Sequence, residues 1–191
     1  MSVSPVPGGD RDRAIGTIVS AFADDPVERW MFPDPDEYLE HFPGFVAAFA
    51  GAAFEQRTAW QLGEFAAVAL WLPPDAEADA AAIARVFTES VRPDKHADLF
   101  AVGEQMERAH PAYPHWYLPW LAVDPARQGA GLGGELLRHC LETVDADGLP
   151  AYLETPNPRT LPFYERHGFE VTGQAQAGSC PPVTFMLRPS R

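Results

Sequence analysis

The sequence predicts a mixed α/β fold, and three observations carry that expectation. An apolar, aromatic segment ending at Val123 is followed by Asp124-Pro125, a glycine-rich stretch from Gln128 to Gly134, and a helical apolar pattern. That order reads as strand, turn, loop, helix. Helical periodicity dominates the chain up to about residue 51, and two pairs of short apolar runs at 58–72 and 169–188 are each joined by turn residues, which makes them hairpins.

Length and composition bound the rest. With 191 residues, 46% hydrophobic and 12% aromatic, the chain is expected to be one domain over residues 1–191 with a sizeable core. A net charge of −13 and a single lysine, Lys95, argue against nucleic-acid backbones and acidic lipid as partners. No apolar run approaches the ~20 residues of a membrane span. Met1 to Asp10 lacks a basic and an apolar region, so it reads as an unstructured leader and not a signal peptide, and the expected location is cytoplasmic. Cys140 and Cys180 fit neither a disulfide framework nor a zinc spacing.

Taken in order, Ile15, Ile18, Val19 and Phe22 predict a first amphipathic helix over Arg11 to Ala23. Asp25 before Pro26 is a cap followed by a first-turn proline, and predicts a short helix carrying Val27, Trp30 and Met31. A further helix starts near Asp36, and Pro43 is expected to kink or split it. Residues 11–51 thus form a helical cover. The hairpin at 58–72 turns at Gly63-Glu64, and 79–108 is a helical insertion in two pieces.

The strand from His115 to Val123 contains Pro119, which cannot donate to a ladder and so predicts a bulge or a loss of pairing there. A helix from Gly131 to about Ala146 buries Leu132, Leu136, Leu137 and Cys140. Ala151 to Thr155 is a short buried strand, and Asn157-Pro158 caps a helix over Arg159 to His167 that stops at Gly168. Residues 116–188 form the ligand-binding half with its C-terminal hairpin.

Glycines 129, 131 and 133 let successive N–H groups converge on an anion at a helix start, which is a phosphate cradle. Gly129, Gly131 and Gly134 also satisfy a dinucleotide fingerprint. Only 57 residues follow Gly134, too few for the further βα units of that fold. No Gly-Lys-Ser/Thr follows either, which removes a nucleotide-triphosphate loop. A pyrophosphate on a long flexible arm remains.

Leu121-Ala122-Val123-Asp124-Pro125, Gln128-x-x-Gly131-x-Gly133, Asn157 and Phe163-Tyr164-Glu165-Arg166-His167-Gly168-Phe169 together resemble the GCN5-related N-acetyltransferase (GNAT) superfamily, over about Trp116 to Val171. Leu153-Glu154-Thr155 followed by Leu161-Pro162-Phe163-Tyr164 is similar to its puromycin N-acetyltransferase branch. The resemblance implies a twisted mixed central sheet flanked by helices, whose fourth and fifth strands splay to hold acetyl-CoA as co-substrate. It implies that Leu121, Ala122 and Val123 bind the pantetheine and acetyl carbonyl, that Gln128, Gly129, Ala130, Gly131, Leu132, Gly133 and Gly134 hold the pyrophosphate, and that Asn157 and Tyr164 contact the cofactor arm.

Acetyl transfer to an amine needs an unprotonated amine, a polarised carbonyl and a proton for the departing thiolate. Tyr164, whose ordinary pKa of about 10 keeps it protonated, is the expected proton donor, a role the resemblance supports over simple packing between Phe163 and Phe169. No carboxylate stands in Tyr117-Leu118-Pro119-Trp120. Glu154 is therefore the first candidate for the base, with His115, Glu64 or ordered water as fallbacks and His110 expected at the surface.

Asp25, Trp30, Phe32, Tyr117 and Trp120 are the expected acceptor-binding residues, because carboxylates beside aromatic faces suit a cationic amine with an apolar body. The reading is an acetyltransferase acting on a small-molecule amine, monomer or homodimer, with no metal. Its alternatives are a protein or peptide N-acetyltransferase and a non-catalytic acyl-CoA-binding module.

Overall fold

The computed structural model describes residues 2–76 and 78–191. One seven-stranded sheet runs in the order β1-β2-β3-β4-β5-β7-β6, with β1 Val3–Pro5, β2 Ala59–Leu62, β3 Ala67–Leu72, β4 Trp116–Val123, β5 Ala151–Thr155, β6 Glu170–Ala175 and β7 Val183–Arg188. Only the β4–β5 pair is parallel; every other neighbour is antiparallel.

Among the described residues eight α-helices cover the sheet: α1 Arg11–Ala21, α2 Pro26–Met31, α3 Pro35–Ala50, α4 Ala52–Glu55, α5 Ala80–Ser90, α6 His96–Ala109, α7 Leu132–Ala146 and α8 Leu161–Glu165. On one face α1 to α3 and α5 pack with Phe65, Val68, Leu70 and Trp120. On the other, α7 and α8 pack with Trp71, Leu118 and Leu153. Among the described residues no helix is long and apolar enough to cross a membrane.

Caps place the cover helices. The Asp25 carboxylate accepts from the N–H groups of Val27 and Glu28, and Asp34 accepts from Asp36 and Glu37, each ahead of a first-turn proline. α3 runs unbroken through Pro43, so the expected split does not occur. The missing N–H costs one ladder bond, and fully buried Phe42 and Val46 hold the helix in place on either side.

Three other expectations are corrected. Val3–Pro5, expected in an unstructured leader, is an edge strand on β2, tied by Ser4 Oγ accepting from Gln61 Nε2 at 2.7 Å. The first hairpin turns over Gly63 to Ala66, with Gly63, Glu64 and Phe65 all left-handed (φ 63°, 56° and 70°). The strain at Phe65 is held by Gln61 Oε1 accepting its N–H, Thr17 Oγ1 donating to its carbonyl, and Arg13 4.3 Å above its ring. The helix expected over 159–167 is a 3₁₀ turn, Pro158–Thr160, followed by the short α8.

Pro119 behaves as its chemistry requires. On β4 the pairing with β3 shifts register between Leu70 and Leu72, leaving two residues, Leu118 and Pro119, opposite Trp71. This bulge reverses the phase of the strand. Trp116 and Leu118 lie on the α7 side, whereas Trp120 and Ala122 face the helical cover. The parallel ladder to β5 ends with Leu118 opposite Leu153. Beyond it, Glu154 and Thr155 pair only with β7, and the two strands part.

Candidate active site

The parting creates an edge inside the sheet. The Asp124 N–H donates to the Ala66 carbonyl at 2.9 Å, so by alternation the backbone groups of Ala122 and Trp120 also point to β3. Those of Leu121 and Val123 consequently point into the gap left by β5. There the Val123 carbonyl accepts from the Gln128 side-chain amide at 3.2 Å. Without the bulge the phase would be opposite, and these groups would be spent on the ladder to β3.

The glycine loop follows directly. Gly129 and Gly131 are left-handed (φ 77° and 81°), and Gly131 caps α7. Among the described residues, no backbone N–H from Gln128 to Gly134 donates to another protein group. Such a run at the start of a fifteen-residue helix is an anion-binding arrangement. A Cβ on Gly133 would sit 3.2 Å from Val123 Cγ2, so glycine lets α7 start flush against β4.

On the cover side of the gap lies a cavity of about 890 Å³, enough for a drug-sized molecule. Aromatic and aliphatic side chains from α1 to α3 and from the insertion α5–α6 wall it in, and Pro119, Trp120 and Glu154 reach it at the strand gap. Glu154 is clamped there: Tyr117 donates to Oε2 at 2.7 Å and Tyr152 to Oε1 at 3.0 Å. Tyr117 and Tyr152 are register partners on β4 and β5, and Glu154 is two residues on, on the face it shares with Tyr152. Burial raises the Glu154 pKa above the usual carboxylate range, and the two tyrosine hydrogen bonds partly oppose that.

His110, expected at the surface, is half-buried. Its ring lies 4.9 Å from that of Tyr117 and 4.8 Å from that of Tyr152, and it lines the cavity. His115 Nδ1 is 2.8 Å from the Tyr113 carbonyl, which can only accept, so that nitrogen carries the proton. Its Nε2 then accepts from His110 Nε2 at 2.8 Å. Burial first, and His115 second, lower His110 to about 4, so it is neutral at physiological pH.

Tyr164 packs edge-on between Phe163 and Phe169 at 5.1 and 5.8 Å, and burial raises its pKa. Among the described residues its hydroxyl has no hydrogen-bond partner. Asn157 uses Oδ1 to cap, accepting from the Arg159 N–H at 3.1 Å, which leaves its amide nitrogen free.

The five acceptor-binding expectations divide. Tyr117 and Trp120 line the cavity; Asp25, Trp30 and Phe32 do not. Asp25 is committed to its cap, Phe32 is fully enclosed beside His41, and Trp30 turns outward to donate to Ser179 Oγ at 3.2 Å. Glu28 and Met31 of the same helix face the cavity instead. Trp120 also belongs to the core, with Phe22, Phe42, Phe45 and Phe49 edge-on around it at 5.1 to 6.1 Å.

Residues 15–169 match the profile of the acetyltransferase (GNAT) family. The chain belongs to this family. As a GNAT protein it is an acyltransferase, and its relatives agree. An uncharacterized N-acetyltransferase of Schizosaccharomyces pombe is 25% identical over 88% of this chain and 74% of its own length. The solved structure of a histone acetyltransferase HPA2 and related acetyltransferase from Corynebacterium glutamicum superposes with a TM-score of 0.70, at 24% identity, over 100% of this chain and 96% of that one. A polyamine N-acetyltransferase of Drosophila melanogaster, which forms N-acetylagmatine, superposes with a TM-score of 0.66 at 13% identity over 97% and 98%. At these identities the two structures bear on the GNAT fold alone.

Proposed function

We propose that this protein transfers an acetyl group from acetyl-CoA to a primary amine of a small molecule with an apolar or aromatic body. The observation that carries this is the gap between β4 and β5 after Leu118, with the backbone of Leu121 and Val123 turned into it and unpaired N–H groups from Gln128 to Gly134 beyond. That arrangement matches a ligand with an amide-bearing arm ending in pyrophosphate. Family membership supports the same donor.

Acetyl-CoA, when bound, supplies the acetyl thioester. Leu121 and Val123 would hold its pantetheine, Gln128 to Gly134 its pyrophosphate, and the Asn157 amide its arm; Ala122, expected with them, has its backbone turned to β3 and its side chain in the core. The Val123 or Leu121 N–H polarises the carbonyl, a contribution of about 10²- to 10³-fold for one such donor. Glu154, fixed by two tyrosines at the cavity end of the gap, takes the proton that the attacking nitrogen must lose. The new C–N bond forms as the C–S bond breaks, and the Tyr164 hydroxyl protonates the departing thiolate. The aromatic cavity accommodates the body of the acceptor, and the net charge of −13 favours a cationic one.

The test is thiol release from acetyl-CoA across a panel of alkylamines, arylalkylamines, aminonucleosides and peptides. Release with small amines is the expected result. Turnover confined to peptide amines, or CoA binding without turnover for any amine, would replace this reading with one of its alternatives.

A further inference from the structure

Glu28 has no role in the chemistry above, and nothing in the fold accounts for it. Its side chain stands on the cavity side of α2 with Met31, and the residue is 5% exposed. Oε2 is fully enclosed without a partner, and among the described residues neither carboxyl oxygen accepts a hydrogen bond or meets an arginine or lysine. The lone lysine, Lys95, donates to the Trp30 carbonyl instead.

An unpartnered buried carboxyl destabilises a fold, and an apolar side chain of the same size would serve it better. Helix capping does not explain it either, because Asp25 already caps α2. Three carboxyls line the cavity: Glu154 at the strand gap, Glu107 on α6, which is exposed to solvent, and Glu28, which is the buried one on the cover helices; Phe45, Phe49, Leu99 and Trp120 line the same chamber.

We propose that Glu28 is a second acceptor subsite, which binds a distal ammonium or guanidinium group of an amine whose other end is acetylated at Glu154. This rests on the acetyl-transfer reading and narrows its substrate to an amine with two cationic ends and an apolar spacer. Burial, and then the neighbouring Asp25 carboxyl, hold the empty Glu28 toward its neutral form. A bound cation is the partner that restores its charge.

The test compares linear α,ω-diamines with monoamines of matching length, as a length series, by thiol release from acetyl-CoA. At an optimal length the diamine should exceed the monoamine in kcat/KM by about 10- to 100-fold, the range for one charge-assisted hydrogen bond. Glu28→Gln and Glu28→Met should collapse that ratio by raising KM for the diamine. Folding of the variants is monitored by the thermal midpoint, which should hold or rise when an unpaired buried carboxyl is removed. A diamine preference absent at every length, or one that survives both substitutions, overturns the assignment of Glu28 while leaving acetyl transfer intact. Absence of thiol release with either series overturns the acetyl-transfer reading, and this inference with it.

Discussion

The Tyr117 hydroxyl donates to Glu154 Oε2 at 2.7 Å across the point where β4 and β5 part. One strand supplies the acid and the other a donor that aims it, so the divergence that opens the gap also positions the proposed base. The hydrogen bond favours the ionised carboxylate, against the burial that raises its pKa. Tyr117→Phe should therefore raise the Glu154 pKa further and move the acid limb of kcat/KM to higher pH. A pH–rate profile of that variant checks the direction, and a shift downward would contradict it.

Tyr164 tests the other proton. Its ring is part of the core beside Phe163 and Phe169, while its hydroxyl makes no hydrogen bond among the described residues. Tyr164→Phe keeps the packing, so kcat should fall by about 10²-fold or more while the Kd for acetyl-CoA, read by calorimetry, changes little. Full turnover in this variant would return Tyr164 to a purely structural role.

Gly131 combines a left-handed backbone with a place in the proposed phosphate loop. At φ 81° any other residue costs about 1–2 kcal/mol. Gly131→Ala should lower the thermal midpoint accordingly, and should also weaken CoA binding by rotating the N–H groups at the start of α7. Loss of stability with unchanged CoA affinity would separate the loop from the phosphate.

Asp25 gives a pH signature of stability. Its carboxyl is 6% exposed, and burial raises it to about 6 despite the hydrogen bonds from Glu28 and Val27. The unfolded chain ionises near 3.8 and the folded one near 6, so between these values the native state holds more protons. Stability from this group is thus full below about 4 and is lost as pH rises through about 6. Asp25→Asn keeps an acceptor for the cap, and its urea midpoint should fall less between pH 4 and pH 7 than that of the wild type.

Much of this was legible because glycine and proline have narrow uses. Pro119 can sit in mid-strand only at a bulge, and glycines 129, 131 and 133 mark the start of α7. The phase of α2 was not legible. A six-residue helix has too few positions for periodicity to tell which side is buried, so Asp25, Trp30 and Phe32 looked equivalent to Glu28 and Met31. The hydrogen bond from Tyr117 to Glu154 and the placement of the His110 ring against Tyr152 depend on strand register and on α6 packing over Tyr152, contacts between residues distant in sequence. β1 escaped notice because a three-residue edge strand carrying Pro5 has almost no pattern.

The bidentate ion pair from Arg188 on β7 to Asp145 on α7, at 2.6 and 2.9 Å, was equally invisible. Arg188 is 2% exposed and also donates to the His167 carbonyl, so it ties the last strand to α7 and to the turn that follows α8.

The proposed role of Glu154 as acceptor of the amine proton at the β4–β5 gap is tested by the pH dependence of thiol release from acetyl-CoA by wild type and Glu154→Gln with the same small amine. Wild type should show an acid limb that disappears in Glu154→Gln, with turnover reduced by about 10²- to 10⁴-fold. An unaltered profile and rate in Glu154→Gln would contradict it.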